Sequence, residues 1–415
     1  MKYWIGRIHL WLGLASGLVV LLVSLTGCLF VFQQEVSDGW YKDRFFVTPS
    51  TTALPLSTLL THARAALGTP VNNVTTYADP ARAWEFMSYK ENPDALTYFG
   101  TLVYYRSVFI DPHTGRITGS RDYKHDFFFL VKYLHWSLLL NTRYGQPIVG
   151  WSTIVFVVLL LTGLVLWWPK RWTRAARRQS FSIKWGARFK RLNYDLHNVL
   201  GFYVLLLALV MALTGLVFAF GWMSRWVGAI GREHVVAAPR AQAVAAAGTP
   251  VHAAQTTAAI VDPGATMTLN SNAAPDPLDA AFARAKTLLP DARRIGLTPP
   301  GDRDSTIAIN GYRGCRTYYD RDDLLFDRRT GRLLKRINFI ERTVGDKLLN
   351  MNYDIHVGAI GGLVGKLLAF IISLVCASLP VTGFLVWWGK KRKRPRATSP
   401  PAARGPNRYS SITSQ

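Results

Sequence analysis

Of the nine histidines in the chain, four sit at matching positions of an internal repeat: His9, His197, His135 and His356. Neutral imidazole is a common axial ligand of haem iron, and the iron takes two axial ligands, so two pairs of imidazoles suit two non-covalent b haems. Each haem also needs a flat apolar slot between helices, and glycines stand in phase with the histidines to make one. Gly13 follows His9 by one helical turn, and Gly27 by about five turns at 3.6 residues per turn, so both share its helix face. Gly201 and Gly215 stand in the same relation to His197. Gly27 and Gly215 then make room for the haem held by His135 and His356. Gly163 and Gly383, on two other apolar segments, do so for the haem held by His9 and His197.

Blander readings use the same residues. Glycine is common in membrane helices because it allows close packing. A histidine near a membrane interface can hydrogen-bond headgroups or neighbouring helices. Four histidines at symmetric positions, with glycines in phase, favour haem over these. A metal site of another kind and a proton relay stay open. No Asp or Glu accompanies the histidines deep in the apolar segments, which weighs against a carboxylate-based path.

The elements that must position these residues are four apolar runs, Ile8–Phe32, Ile148–Trp168, Leu196–Trp222 and Leu363–Trp388. Each can span a bilayer as a helix, which takes roughly 20 residues. The 49% apolar content of the 415 residues concentrates in these runs and is not spread as in a soluble core. Runs one and three align without gaps, His9 on His197, Gly13 on Gly201 and Thr26-Gly27 on Thr214-Gly215. Runs two and four align through Leu161–Lys170 and Val381–Lys390, with Leu134-His135 matching Ile355-His356 upstream. The chain therefore reads as two copies of a helix–domain–helix unit.

A net charge of +24 in a soluble protein would suggest nucleic acid. Here the surplus gathers in the loop after run two, from Lys170 to Arg191, and in the tail Gly389–Arg396, so no nucleic-acid partner is expected. The positive-inside rule puts both basic segments and the N-terminus in the cytoplasm of a bacterial inner-membrane protein. The expected organisation is an N-tail and first span over 1–33, a periplasmic domain and re-entry segment over 34–146, a second span over 147–169 and a basic loop over 170–195. A third span over 196–222, a periplasmic linker over 223–276, a second periplasmic domain over 277–357, a fourth span over 358–388 and a basic tail over 389–415 complete it. His9 and His197 then lie at the cytoplasmic face, and His135 and His356 at the periplasmic face.

Both outer segments follow one order. A short helix at Leu56–Leu67 precedes strands at Val71–Tyr77, Trp84–Tyr89 and Leu102–Ile110, a turn at Asp111–Gly115 and a further strand. The second copy has a helix at Leu278–Leu289, strands at Arg294–Leu297, Ser305–Asn310 and Thr317–Phe326, a turn at Asp327–Gly331 and a strand at Leu333–Ile337. Each reads as a small α+β unit. The fold class is membrane α-helical, with four spanning helices in two repeated pairs, each pair flanking one such unit. The Ala/Thr/Pro-rich stretch Glu233–Asp276 reads as a linker.

Three cysteines without a CxxC pattern support neither a zinc ribbon nor covalent haem. Leu25–Cys28 resembles a lipoprotein cleavage site, but the chain stays apolar beyond it and Leu213–Leu216 repeats the pattern, so the first run reads as an uncleaved anchor. His62, His113, His125, His234 and His252 lie outside the repeat pattern and read as structural. Trp167-Trp168 and Trp387-Trp388 read as an interfacial aromatic belt. No glycine-rich dinucleotide loop lies between a strand and a helix, so any electron donor to such haems would be a quinol or a separate cytoplasmic protein.

The chain resembles the PepSY-associated transmembrane proteins. The resemblance rests on Arg7–Leu14, Tyr133–Leu140, Leu159–Arg171, Asp195–Gly201, His356 and Val381–Trp388, and on outer units whose turns read Asp-x-x-Thr-Gly. It implies an inner-membrane reductase with two b haems that passes electrons to a ferric siderophore in the periplasm. The rivals it leaves are a membrane-tethered binding module that modulates a peptidase, and an iron-chelate permease. One departure stands out: the family pattern often has Arg directly after the membrane histidine, where this chain has Leu10, Trp136, Asn198 and Val357.

Overall fold

The computed structural model describes residues 1–50, 52–231, 276–301 and 304–391. Most of the expected linker, the basic tail beyond residue 391, His234 and His252 lie outside the described residues.

Four helices are long and apolar enough to cross a membrane: Lys2–Phe30, Thr142–Trp167, Phe189–Ala219 and Ala359–Gly389. A helix satisfies its own backbone polar groups, which hydrocarbon requires. The chain is a multi-pass membrane protein. The first and third spans each pack against both the second and the fourth, so they face each other across a diagonal of the bundle. Small buried side chains such as Ser16, Ala208, Ala212 and Ala377 let neighbouring helices approach closely. The third span contains a π-helical turn at Leu196–Leu200, around His197. Such turns are rare and recur at functional sites.

Two shorter helices enter the bundle from one end. Phe127–Ser137 packs on the first two spans, and Val344–His356 on the third. Asp126 caps the former by accepting from the N–H groups of Phe128 and Phe129, and Thr343 caps the latter at the N–H of Asp346. Each entering helix must turn sharply into the span that follows. In the first half Leu138 and Leu139 adopt φ of 56° and 58°. That left-handed conformation costs a leucine roughly 1–2 kcal/mol. The turn is held from outside: the N–H of Tyr98 donates to the Leu139 carbonyl at 2.9 Å, and the Asn141 amide donates to the carbonyl of Ala95 at 2.8 Å. The second half places Gly358 at the matching turn, with φ 74°.

Outside the bundle lies one antiparallel sheet of eight strands: β1 Asn73–Tyr77, β2 Trp84–Glu91, β3 Leu102–Ile110, β4 Ile117–Asp122, β5 Arg294–Thr298, β6 Thr306–Tyr312, β7 Arg321–Asp327 and β8 Leu333–Ile337. Their order is β4-β3-β2-β1-β5-β6-β7-β8. The halves therefore do not form two separate units. They fuse where β1 pairs β5, from Val74 opposite Leu297 to Tyr77 opposite Arg294. The reason is that β1 and β5 are the free edges of their own four-stranded halves, and pairing satisfies backbone groups an edge would leave open. Helices Leu56–Leu67 and Pro277–Leu288 cover one face of the sheet. Leu59, Ala63, Phe86, Ala281, Leu297 and Phe326 share that core. Each hairpin turn is locked the same way: Asp111 accepts from the Thr114 hydroxyl and Asp327 from that of Thr330, and Gly115 and Gly331 take the left-handed conformation that closes the loop.

An ion-pair chain ties the sheet to the bundle. Lys366, at the start of the fourth span, donates to Glu35 at 2.6 Å. Arg316, on the sheet side, reaches both Glu35 at 3.3 Å and Asp38 at 3.0 Å, and Arg82 pairs with Asp38 at 2.9 Å. The expected strands lie within four residues of those observed, whereas the first and third spanning helices begin six and seven residues before the expected apolar runs, at Lys2 and Phe189. One difference is a helix at Gly221–Ala229, where the linker was expected to begin.

Candidate functional site: two imidazole pairs and a cavity

The four repeat histidines meet in two pairs. The rings of His9 and His197 lie 6.4 Å apart between centroids, inclined at 86°, and those of His135 and His356 lie 6.0 Å apart at 71°. Each pair bridges a diagonal. His9 and His197 sit on the first and third spans, and His135 and His356 on the two entering helices.

A threonine fixes every ring. His9 Nδ1 lies 2.9 Å from Thr162 Oγ1, His197 Nδ1 lies 3.0 Å from Thr382, His135 Nδ1 lies 3.2 Å from Thr26, and His356 Nδ1 lies 2.9 Å from Thr214. The partners are exchanged between neighbouring segments. The first span supplies the threonine for the helix leading into the second, and the second span supplies the one for the first; the third and fourth spans repeat the exchange. Each hydroxyl already donates to a carbonyl one turn back in its own helix: Thr26 to Leu22, Thr162 to Val158, Thr214 to Val210 and Thr382 to Ser378. The hydroxyl oxygen is therefore left to accept, and Nδ1 must carry the proton. For His135 and His356 this is reinforced by the main-chain carbonyls of Val23 at 2.8 Å and Met211 at 3.0 Å, which can only accept. All four rings thus keep Nε2 as the bare nitrogen, and no hydrogen bond reaches it among the described residues.

The glycine after each threonine completes the cradle. A Cβ on Gly27 would stand 3.1 Å from His135 Cε1, on Gly383 3.1 Å from His197, on Gly163 3.5 Å from His9 and on Gly215 3.5 Å from His356. These glycines fall at the levels expected, but the room they make is taken by the imidazole itself. Gly13 and Gly201 are different. Their Cβ atoms would meet Leu159 at 3.8 Å and Leu379 at 3.6 Å, which is ordinary helix packing. The threonines contact all four rings, and reading the sequence for haem ligands missed them. Their signal is plain in hindsight: all four spans carry a Thr-Gly pair.

The arrangement suits an axially ligated cofactor. Two nitrogens, each roughly 2 Å from a shared metal, put their ring centroids about 6 Å apart. A proton fixed on Nδ1 by an outer hydrogen bond is the usual arrangement of a ligating histidine. Among the described residues no group of three or more His, Cys, Asp or Glu side chains could hold a metal ion, so each pair offers two protein ligands and the remainder must come with the group it binds. Haem brings four. The residues present fit it.

The pair His135 and His356 opens into a cavity of about 1630 Å³ that runs from the bundle to the uncovered face of the sheet. The cavity wall includes Tyr77, Tyr89, Tyr105 and Tyr312; burial pushes the Tyr77 phenol up to about 12 and the Tyr105 phenol well above the ordinary value. Glu91, on the same wall, is raised to about 7 by burial, and Lys132 is lowered to about 8 by the same cause.

The remaining described histidines stay apart from both pairs. His62 Nδ1 lies 3.2 Å from the Gly115 carbonyl, His113 bridges the carbonyls of Thr52 and Pro80, and His125 pairs with Asp122 on the surface. Trp168 is exposed, as a belt residue would be, but Trp167 is not. It is buried under the loop helix Arg174–Phe181, stacked on Phe202 at 3.8 Å and donating to the Ser180 carbonyl.

A membrane bundle with two close imidazole pairs beneath a PepSY-like antiparallel sheet defines the class of protein. The family model for the PepSY-associated TM region matches residues 6–390, and the chain belongs to that family. No curated protein matches it.

Proposed function

We propose that the chain binds two b haems, one at His9 and His197 and one at His135 and His356, and carries electrons across the inner membrane. The observation that carries this reading is the fourfold Thr–His contact, which leaves two bare Nε2 lone pairs in each pair of neighbouring rings. Two such lone pairs at close quarters are poorly solvated in a membrane interior and are satisfied by a shared Lewis acid. Haem in each slot supplies a one-electron carrier whose potential depends on axial ligation and burial. The chain's own part is to hold the imidazoles, fix their tautomers and keep lipid and water away from the metal positions.

The basic loop and tail support an orientation with His9 and His197 towards the cytoplasm and the sheet in the periplasm. A quinol or a cytoplasmic protein is then the donor. The cavity at His135 and His356 is the place for an acceptor. Ferric siderophore is the acceptor that family resemblance favours, in a role in iron acquisition, since ferrous iron binds hard oxygen donors less tightly. Purified protein is expected to be red, with a reduced-minus-oxidised spectrum of b haem. His9→Ala and His356→Ala should each remove one haem of the two. A colourless preparation from haem-replete cells would sink the reading and leave a peptidase-modulating binding module or a chelate permease.

A further inference from the structure

The cavity beside His135 contains a cation without an anion. Lys132 lies one helical turn before His135, on the same face of the helix Phe127–Ser137, and both side chains line the cavity. Its ammonium is held over three rings of its own helix: 5.2 Å from the centroid of Phe129, 6.0 Å from Tyr133 and 5.8 Å from Trp136. No carboxylate or carbonyl reaches it among the described residues. The other enclosed cations of the cavity are matched: Arg82 by Asp38, Arg121 by Asp126, Arg321 and Arg342 by Asp323, and Arg294 by the carbonyls of Cys315 and Thr317. Lys335 is exposed to water. Glu91 lines the same cavity but forms no ion pair with Lys132.

Lys132 is half-buried, and an ammonium that faces aromatic rings and no counter-charge is only partly compensated. Its place specifies the missing anion. The anion must enter the cavity and lie beside what His135 would hold, since Lys132 precedes His135 by about one helical turn on the same face. We infer that Lys132 is the counter-cation for a carboxylate of the haem held by His135 and His356, a positioning residue for that haem. This rests on the haem reading above. It also accounts for the absence of an arginine directly after His135: the positive charge comes from the preceding turn instead.

The test is a spectroelectrochemical titration of the haem-loaded protein. Removing a positive charge beside the iron favours the ferric state, so Lys132→Met should lower the midpoint of one haem and leave the other unmoved. Lys132→Gln should give the same shift, and Lys132→Arg should restore the wild-type midpoint. The shift should persist in a His9→Ala background, which keeps the haem of His135 and His356, and vanish in a His356→Ala background. Two haems with neither midpoint moved by Lys132→Met or Lys132→Gln would overturn the inference and leave the haem reading intact. So would unmoved midpoints together with lost binding of an anionic gallium(III) tris-catecholate, which would assign the cation to a diffusible chelate. Protein without haem sinks both readings.

Discussion

The two imidazole pairs use the same cradle on different foundations. His9 and His197 sit within spanning helices, and the span that carries each histidine is fixed along its whole length by its neighbours. His135 and His356 sit on short helices that must enter the bundle and turn into the next span. Their rings take a main-chain carbonyl in addition to a threonine, and they face a cavity that reaches the sheet. The first pair is therefore positioned within the bundle, by span packing and the hydroxyls of Thr162 and Thr382. The second depends also on the two turns and on the sheet above. His135 and His356 line the cavity, and His9 and His197 do not.

The largest effect should come from filling the cradle. Gly27→Val and Gly383→Val each put bulk where a Cβ alone already approaches the ring to 3.1 Å. Each should abolish one haem, a different one, measured as haem per protein. Gly163→Ala and Gly215→Ala, at 3.5 Å, should retain both. Equal losses in all four would show that the glycines do not act through the rings they touch.

Next come the turns. Gly358→Ala combines a positive φ with a Cβ driven into the Gly365 carbonyl, a backbone atom that cannot swing aside. It should lower the melting temperature in detergent and release the haem of His135 and His356 first. Leu138→Gly removes a strain of roughly 1–2 kcal/mol and should cost much less. If the two variants melt alike, the halves share more of their turn energetics than their backbones indicate.

Thr214→Val keeps the shape and deletes the acceptor for His356. Outer partners of this kind change metal affinity by roughly 10–100-fold. Because the Met211 carbonyl remains at 3.0 Å, the loss should be smaller than in Thr162→Val, whose His9 has no such carbonyl at hydrogen-bond distance. Haem titration of the two apoproteins measures the difference, and the reverse order would break the distinction between the pairs.

The smallest effect belongs to the sheet. His113 donates to the Pro80 carbonyl at 3.0 Å and the Thr52 carbonyl at 3.1 Å, which requires both ring nitrogens protonated and raises its pKa, the Pro80 bond most. A folded pKa above the unfolded value gives stability that is present below about pH 6.5 and lost as pH rises through the folded value. His113→Gln should therefore narrow its melting difference from wild type as pH is raised from about 5.5 to about 8. The ring is largely solvent-screened, so the change should be modest.

Much of this was legible in the chain. The spans follow from apolar runs longer than a bilayer, and the helix Leu56–Leu67 and the strand Leu102–Ile110 follow from local periodicity. The histidine pairing was legible because duplication aligned His9 with His197 and His135 with His356. The threonines were visible and unassigned, since a hydroxyl one residue before a glycine carries no chemistry until its partner from another segment is placed beside it. The single sheet was hidden for a similar reason: nothing in β1 or β5 marks its free edge as the mate of the other.

The sequence by itself determined four spans, a duplicated unit and four histidines at two depths, because hydropathy, periodicity and repetition are properties of one segment at a time. Only the tertiary structure decided that each threonine serves a histidine from a neighbouring segment, that the halves close into one sheet through β1 and β5, and that Lys132 lacks an anion. Those are relations between segments, set by which helix lies next to which and by which edge meets which.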